Sequence, residues 1–356
     1  LIPRSRRRKI LPTYEASIPA EIARQTVSLP SELEQFIAEV QVAIARFDEA
    51  QNSRDYSLPA LLLRSESSSS SQIERLTSSV RNVALAELSD KAPANALLIA
   101  GNVAAMREAL GQTGPVSVAS IYSLHGTLMS AAEEDEGPRK EQVWIGGSPY
   151  SPHGAIFVPP DATRVPNCLD DLILFGKRED ISPVAKAAIF HAQFETIHPF
   201  TDGNGRTGRA LLHRMLANDG VLLHSTLPVS AGLLHDTERY MKALDAYHEG
   251  QVEPIITCLA DALELATVIG SRIAKDVDTV LSNWRDLNTD RRGSASHALP
   301  TLLVKQPVVN TAYVAKQLFV SERAARTIIE AACERGILSK IGNAKRGAFY
   351  QANELI

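Results

Sequence analysis

Apolar side chains at Phe36, Ile37, Val40, Ile44 and Phe47 recur every three or four residues, which predicts an amphipathic helix. Ser31 and Glu34, ahead of them, have capping-box spacing. The first 30 or so residues, with Pro3, Pro12, Pro19 and Pro30, predict an extended arm. In LLLRSESSSSSQIERL the serine run Ser67 to Ser71 has linker composition. Leu61 to Leu63 before it and Ile73 and Leu76 after it are close enough for a helix to continue through the serines. Leu97 to Leu110 and Val116 to Met129 also carry helical spacing. The pattern then changes. QVWI and AIFV, flanking a Gly/Pro/Ser loop, predict a β-hairpin. SPVAKAAIFHAQFETI returns to helix, with Ser182 as N-cap and Pro183 in the first turn. Glu253 to about Leu287 is a long helical stretch, and TDRRGSASHALP after it predicts a linker and domain boundary. Beyond Thr311, two helical segments separated by a short turn precede a basic, β-prone hairpin, the pattern of a winged helix.

Composition narrows the class. Of 356 residues, 44% are hydrophobic and 22% charged, as in a soluble globular protein of two or three domains. A net charge of −4 argues against general attraction to nucleic acid. Cys168, Cys258 and Cys333 are far apart without metal-ligand spacing, and predict thiols of a reducing compartment. No uninterrupted apolar run approaches the about 20 residues of a membrane span. The opening LIPRSRRRK is basic with no apolar segment behind it, so a secretory signal is not expected. It lacks Met, so the natural start is expected upstream, and the cytoplasm is the expected compartment.

The densest chemistry lies in HPFTDGNGRTGR, His198 to Arg209. GNGRTG satisfies the G-x-G-x-x-G fingerprint of dinucleotide-binding turns, which needs a buried strand running into the glycines. Here Val184, Ala187, Phe190, Phe194 and Ile197 have helical spacing and a second helical segment follows, so the turn joins helix to helix. Such a turn still suits phosphate. Gly203 and Gly205 around Asn204 let successive backbone N–H groups face one concave site at a helix start. Arg206 and Arg209, three apart, share one face of that helix and suit a polyphosphate. Asp202 is a single carboxylate of the kind that holds magnesium together with phosphate oxygens. His198 is a candidate base for an attacking hydroxyl.

HPFTDGNGRTGR resembles the Fic motif, HPFx(D/E)GNGRxxR, at every defined position. The resemblance implies an enzyme that transfers AMP from ATP to a Ser, Thr or Tyr hydroxyl of a target protein. It implies His198 as general base, Phe200 as the core anchor of the loop, and Asp202 as ligand of Mg2+ bridging the α- and β-phosphates. Gly203, Asn204 and Gly205 would form the anion hole, Arg206 would hold the phosphates and Arg209 would orient the γ-phosphate. The hairpin looks like the family's flap, with Val143, Trp144 and Ile145 on the segment that pairs with a target strand. ERYMKAL resembles the stretch around the nucleotide base, with Tyr240 as adenine neighbour.

The serine run resembles the family's inhibitory helix, Ser/Thr-x-x-x-Glu followed by Gly or Asn. Ser70 and Glu74 match; Arg75 departs from it. By analogy Glu74 pairs with Arg209 and takes the space of the γ-phosphate. Gly or Asn after it lets the chain turn, whereas Arg is expected to prolong the helix and add a competing cation. In the C-terminal segment Ser321 is expected to cap the second helix, exposing Arg323 and Arg326, with Lys340, Lys345 and Arg346 on the wing. The expected architecture is mainly α: a regulatory region over 1–110, a catalytic core with its hairpin over 111–288, and a winged helix over 300–356. The winged helix is expected to contact DNA or protein, no membrane is expected, and homodimerisation stays open. Two alternatives to AMP transfer are AMP removal on the same scaffold and a nucleotide-sensing DNA-binding regulator.

Overall fold

The computed structural model describes residues 13–52, 54–132, 137–291, 293–344 and 347–356. Pro3 and Pro12 of the expected arm, and Lys345 and Arg346 of the expected wing, lie outside them. The protein is mainly helical, as its patterning predicts. The helices are α1 (Ser31–Asn52), α2 (Leu58–Ile73), α3 (Val80–Ala86), α4 (Ala94–Gly111), α5 (Val118–Met129) and α6 (Val165–Gly176). They continue with α7 (Pro183–Ile197), α8 (Asn204–Asn218), α9 (Val229–His235), α10 (Thr237–His248) and α11 (Glu253–Leu287). After these come α12 (Leu299–Lys305), β1 (Val308–Asn310), α13 (Thr311–Leu318), α14 (Glu322–Glu334), β2 (Ser339–Ile341) and β3 (Phe349–Gln351).

Contacts divide the chain into two units interleaved in sequence. One comprises the described residues up to Glu39, Glu108–Val221 and Asp236–Ala260; the other comprises Val40–Arg107, Leu222–His235 and Asp261–Ile356. In the first unit α7 is buried on nearly every side, because small alanines alternate with Phe190, Phe194 and Ile197. Gly208 permits close approach of α8: a Cβ there would stand 3.0 Å from the Phe194 ring and 3.1 Å from His191 Nδ1. The N-terminal arm is irregular and is held by its backbone. Ser17 N–H donates to Val158 O at 2.8 Å, and Ile22 and Ala23 N–H donate to the Asp171 carboxylate at 2.7 and 3.2 Å. The hairpin forms around two bridges, Ile145 with Phe157 and Ser148 with Ser151, rather than two regular strands.

The second unit resolves the serine run as helix. Within α2, Ser67, Ser70 and Ser71 are buried. A serine can be buried when its hydroxyl finds a local acceptor, and Ser71 Oγ donates to Ser67 O at 2.8 Å. Asn102 Nδ2 also donates to Ser67 O, at 3.0 Å. Beside them the buried Glu66 carboxylate accepts from the Ser230 amide at 2.8 Å, satisfying an amide at the start of α9. The same unit carries the C-terminal sheet, ordered β1-β3-β2 with both pairs antiparallel. Ser321 caps α14 by accepting from Ala324 N–H at 3.2 Å, and Arg323 and Arg326 are exposed, as expected. The expected linker is pinned rather than loose. Fully buried Trp284 donates to Glu354 at 2.9 Å, and Asp290 is ion-paired with Arg335.

Two expectations change here. Helix α11 is long and apolar enough to cross a membrane by length and composition, because scattered charges interrupt its apolar residues without much lowering their average. Of that apolar window, 56% is buried inside the protein, as in a core helix. Second, Arg75 does not prolong α2. The helix stops at Ile73 with Glu74 as C-cap, and Arg75 adopts φ +63°. Arg75 N–H donates to Gln72 O at 2.9 Å and Leu76 N–H to Ser71 O at 3.0 Å, the paired bonds of a Schellman turn. That turn needs a left-handed residue, which is the demand that Gly or Asn meets cheaply. Arg75→Gly is therefore expected to stabilise the protein by about 1 kcal/mol, read as a raised denaturant midpoint at unchanged slope. A lowered midpoint would contradict it.

Candidate active site

The site is built at the α7–α8 turn, wholly within the first unit. Helix α7 ends on His198, whose amide donates to Phe194 O at 2.9 Å while its own backbone takes φ +49°. A non-glycine residue rarely adopts that conformation, and it turns the chain sharply out of the helix. The imidazole is fixed as well. Its Nδ1 lies 3.3 Å from Glu195 O, and since a carbonyl only accepts, Nδ1 carries the proton. Nε2 then presents a lone pair. Burial is the main influence lowering the imidazole pKa, to about 4, so the ring is neutral near pH 7.

Phe200 drops into the core, fully buried. The His125 ring stacks on it at 3.6 Å with 4° between planes, and Tyr122 meets it edge-on at 6.1 Å. Asn204 closes the turn: Phe200 N–H donates to Asn204 Oδ1, and Asn204 Nδ2 donates to Phe200 O, both at 2.9 Å. The Asn204 side chain is thus spent on the loop itself. The backbone amide is what remains of Asn204 for the expected anion hole. Gly203 takes φ +75° as N-cap of α8 and supplies no side-chain cap, which leaves the first-turn amides directed at the turn. A Cβ at Gly203 would come within 3.0 Å of both Leu128 and Met129.

Charge is concentrated around this amide nest. Arg206 and Arg209 are 4% and 2% exposed, and Arg206 pairs with Asp202 at 3.2 Å. The Asp202 side chain keeps 58% of its exposure, so its second oxygen can take a cation. Among the described residues no three His, Cys, Asp or Glu cluster as a metal site. One exposed carboxylate next to a phosphate nest nonetheless suits magnesium, which takes most of its ligands from phosphate and water.

Tyr240 is placed differently from the expectation. It is 1% exposed, so its ring has no face for adenine. Its hydroxyl bonds Arg209 and lies 2.7 Å from His191 Nε2. A guanidinium only donates, so the hydroxyl accepts from Arg209. Burial drives the His191 pKa down to about 3, so that ring is neutral near pH 7. Tyr240 therefore backs Arg209 from inside the core.

Three contributors carry no sequence signal of their own. His125 donates from Nε2 to Asp202 O at 3.0 Å, and burial lowers its pKa, so it is neutral. His191 is the second. Arg139, 5% exposed, reaches the backbone of His198 and both ends of the hairpin. In the hairpin Val143 and Trp144 are partly exposed and Ile145 is exposed; the Trp144 indole N–H is committed to Ser148 O at 2.8 Å. Ser70 and Glu74 belong to the second unit, Ser70 buried and Glu74 exposed at the C-cap of α2.

Residues 115–216 match the Fic/DOC family. A probable protein adenylyltransferase of Aquifex aeolicus is 35% identical over 138 residues, which is 38% of this chain and 38% of that protein. A protein adenylyltransferase Fic of Nematostella vectensis is 27% identical over 149 residues, 42% of this chain and 33% of that protein. The matched segment thus spans about a third of the length of these relatives. A Fic family protein from Desulfovibrio desulfuricans G20 shares the fold with a TM-score of 0.60 at 22% identity, over 92% of this chain and 97% of that one. Fic-1 from Caenorhabditis elegans aligns with a TM-score of 0.51 at 21% identity, over 69% and 74%.

Proposed function

We propose, from the match of residues 115–216 to the Fic/DOC family and the likeness to protein adenylyltransferases, that this chain transfers AMP from ATP to a hydroxyl side chain of a target protein. The observation that carries this reading is His198. Its tautomer leaves Nε2 as an acceptor at the head of the turn that carries the two glycines and leads to two buried arginines. The target hydroxyl oxygen attacks the α-phosphorus and its proton passes to Nε2. The bond from the α-phosphorus to the bridging oxygen breaks, and pyrophosphate leaves. The first-turn amides of α8, with Arg206, hold the phosphates, and Arg209 orients the γ-phosphate. Asp202 would hold magnesium, which would neutralise phosphate charge when bound. The hairpin, with Val143 to Ile145 on its incoming arm, is the segment against which a target chain would lie.

We further propose autoinhibition by Glu74. Support comes from the Ser70 and Glu74 pattern and from the turn that ends the helix one residue later, where the family's pattern has Gly or Asn. Wild type and Glu74→Gly, incubated with labelled ATP and cell extract, test both proposals. The variant is expected to label protein more strongly than wild type, and chelation of divalent cations to abolish labelling. Equal labelling by the two proteins would remove the inhibitory role. Labelling that survives chelation would remove magnesium, and no labelling by either would remove AMP transfer.

A further inference from the structure

Arg139 stands immediately before the hairpin, and its side chain is enclosed. Nε donates to His198 O at 2.8 Å, Nη1 to Glu141 O at 3.1 Å, and Nη2 to Pro160 O. Its own amide donates to Pro199 O at 2.8 Å. One planar group thus joins the peptide after the base to the residues that open and close the hairpin. These carbonyls come from three separate stretches of chain, and only a guanidinium offers three donors in a rigid fork. Charge-assisted bonds of this kind are the stronger class of hydrogen bond.

The carbonyl it takes from His198 belongs to a residue held at φ +49°. Such a backbone persists only when its surroundings over-determine it. Here the restraints are the amide bond to Phe194, the imidazole bond to Glu195, and Arg139 on the carbonyl. Removing the third leaves the peptide free to relax toward an ordinary conformation, and the imidazole turns with it. The same loss frees both ends of the hairpin.

We infer that Arg139 is a positioning residue that couples the hairpin to the orientation of His198, so that engagement of a target along the hairpin and alignment of the base depend on one another. This rests on the proposed AMP transfer only for its consequence in rate; the coupling itself is a property of the fold. Lysine in this place keeps the charge but loses the fork, so it should serve little better than alanine.

Two measurements on the full chain test the inference. Hydrogen exchange followed by mass spectrometry on Arg139→Ala and Arg139→Lys should show faster exchange in two places at once, residues 142–158 and 194–200, with the remainder close to wild type. Acceleration of the hairpin alone would overturn the coupling, as would exchange unchanged in both. The second measurement is AMP transfer in the Glu74→Gly background. Arg139→Ala should lower kcat by up to about 10²-fold, the scale of a misplaced catalytic group, with little change in KM for ATP. Added to His198→Ala it should have almost no further effect on kcat, because it acts through that base. An equal loss in both backgrounds would assign Arg139 a purely structural role and sink the inference. If the exchange result holds while no variant transfers AMP, the proposed activity fails and the coupling stands.

Discussion

His198→Ala is expected to lower AMP transfer by about 10²–10⁴-fold, the usual contribution of a general base, while leaving ATP binding nearly intact. In the proposed site the phosphates are held by backbone amides and the two arginines and not by the imidazole, so affinity should survive its loss. The pH dependence gives a second reading of the same group. Burial holds the folded-state pKa at about 4, below the ordinary 6.5, so the ring stays a competent acceptor through the neutral range. As far as His198 governs it, the rate should be flat from pH 8 to pH 6 and fall only as pH drops through about 4. Stability follows the same sign. Between 6.5 and about 4 the unfolded chain takes up the proton first, so acidification through that window favours unfolding. A pH–rate profile is the check. A kinetic pKa near 6.5 would show that His198 is solvated in the working enzyme, and wild-type transfer by His198→Ala would exclude it as the base.

Phe200→Ala is expected to have the largest effect on stability, about 3–5 kcal/mol, as for other buried aromatic truncations. That is a large share of the about 5–15 kcal/mol by which a domain is stable. The ring is fully enclosed between His125, Tyr122 and Phe194, so the cavity has little means of collapsing. The loss also reaches the turn, because the two bonds of Asn204 are made to the Phe200 backbone. Denaturant unfolding monitored by circular dichroism measures it. A loss below about 1 kcal/mol would mean that the clasp and His125 hold the loop without the ring.

The sequence made the centre of the site legible because its chemistry is local. Base, carboxylate, nest and arginines fall within twelve consecutive residues, and helical spacing on either side identifies the turn that carries them. What supports them is distant along the chain. Arg139 and His125 lie far upstream, and Tyr240 lies downstream at a spacing that suits many buried aromatics. A lone arginine ahead of a hairpin gives no sign that three carbonyls will converge on it. Composition misleads in the opposite direction at the serine run and the expected linker. Serines pack inside α2, where the Ser71 hydroxyl bonds within the helix, and the expected linker is pinned through Asp290. Arg75 shows a third kind of gap. Helix propensity predicts continuation, but the Schellman bonds set the local geometry and the side chain accepts a left-handed backbone.

The clasp at Asn204 has a chemical consequence for the lifetime of the protein. Asn followed by Gly is the pair that ages fastest in an open chain, because the next amide nitrogen attacks the side-chain carbonyl carbon and closes a succinimide ring. Asn204 and Gly205 form such a pair. Both atoms of this side-chain amide are engaged by the Phe200 backbone, and the residue begins α8, where the Gly205 nitrogen is held in helical geometry away from that carbon. The bonds that shape the turn therefore also shield it from deamidation, which would set a carboxylate against the Phe200 carbonyl and break the clasp.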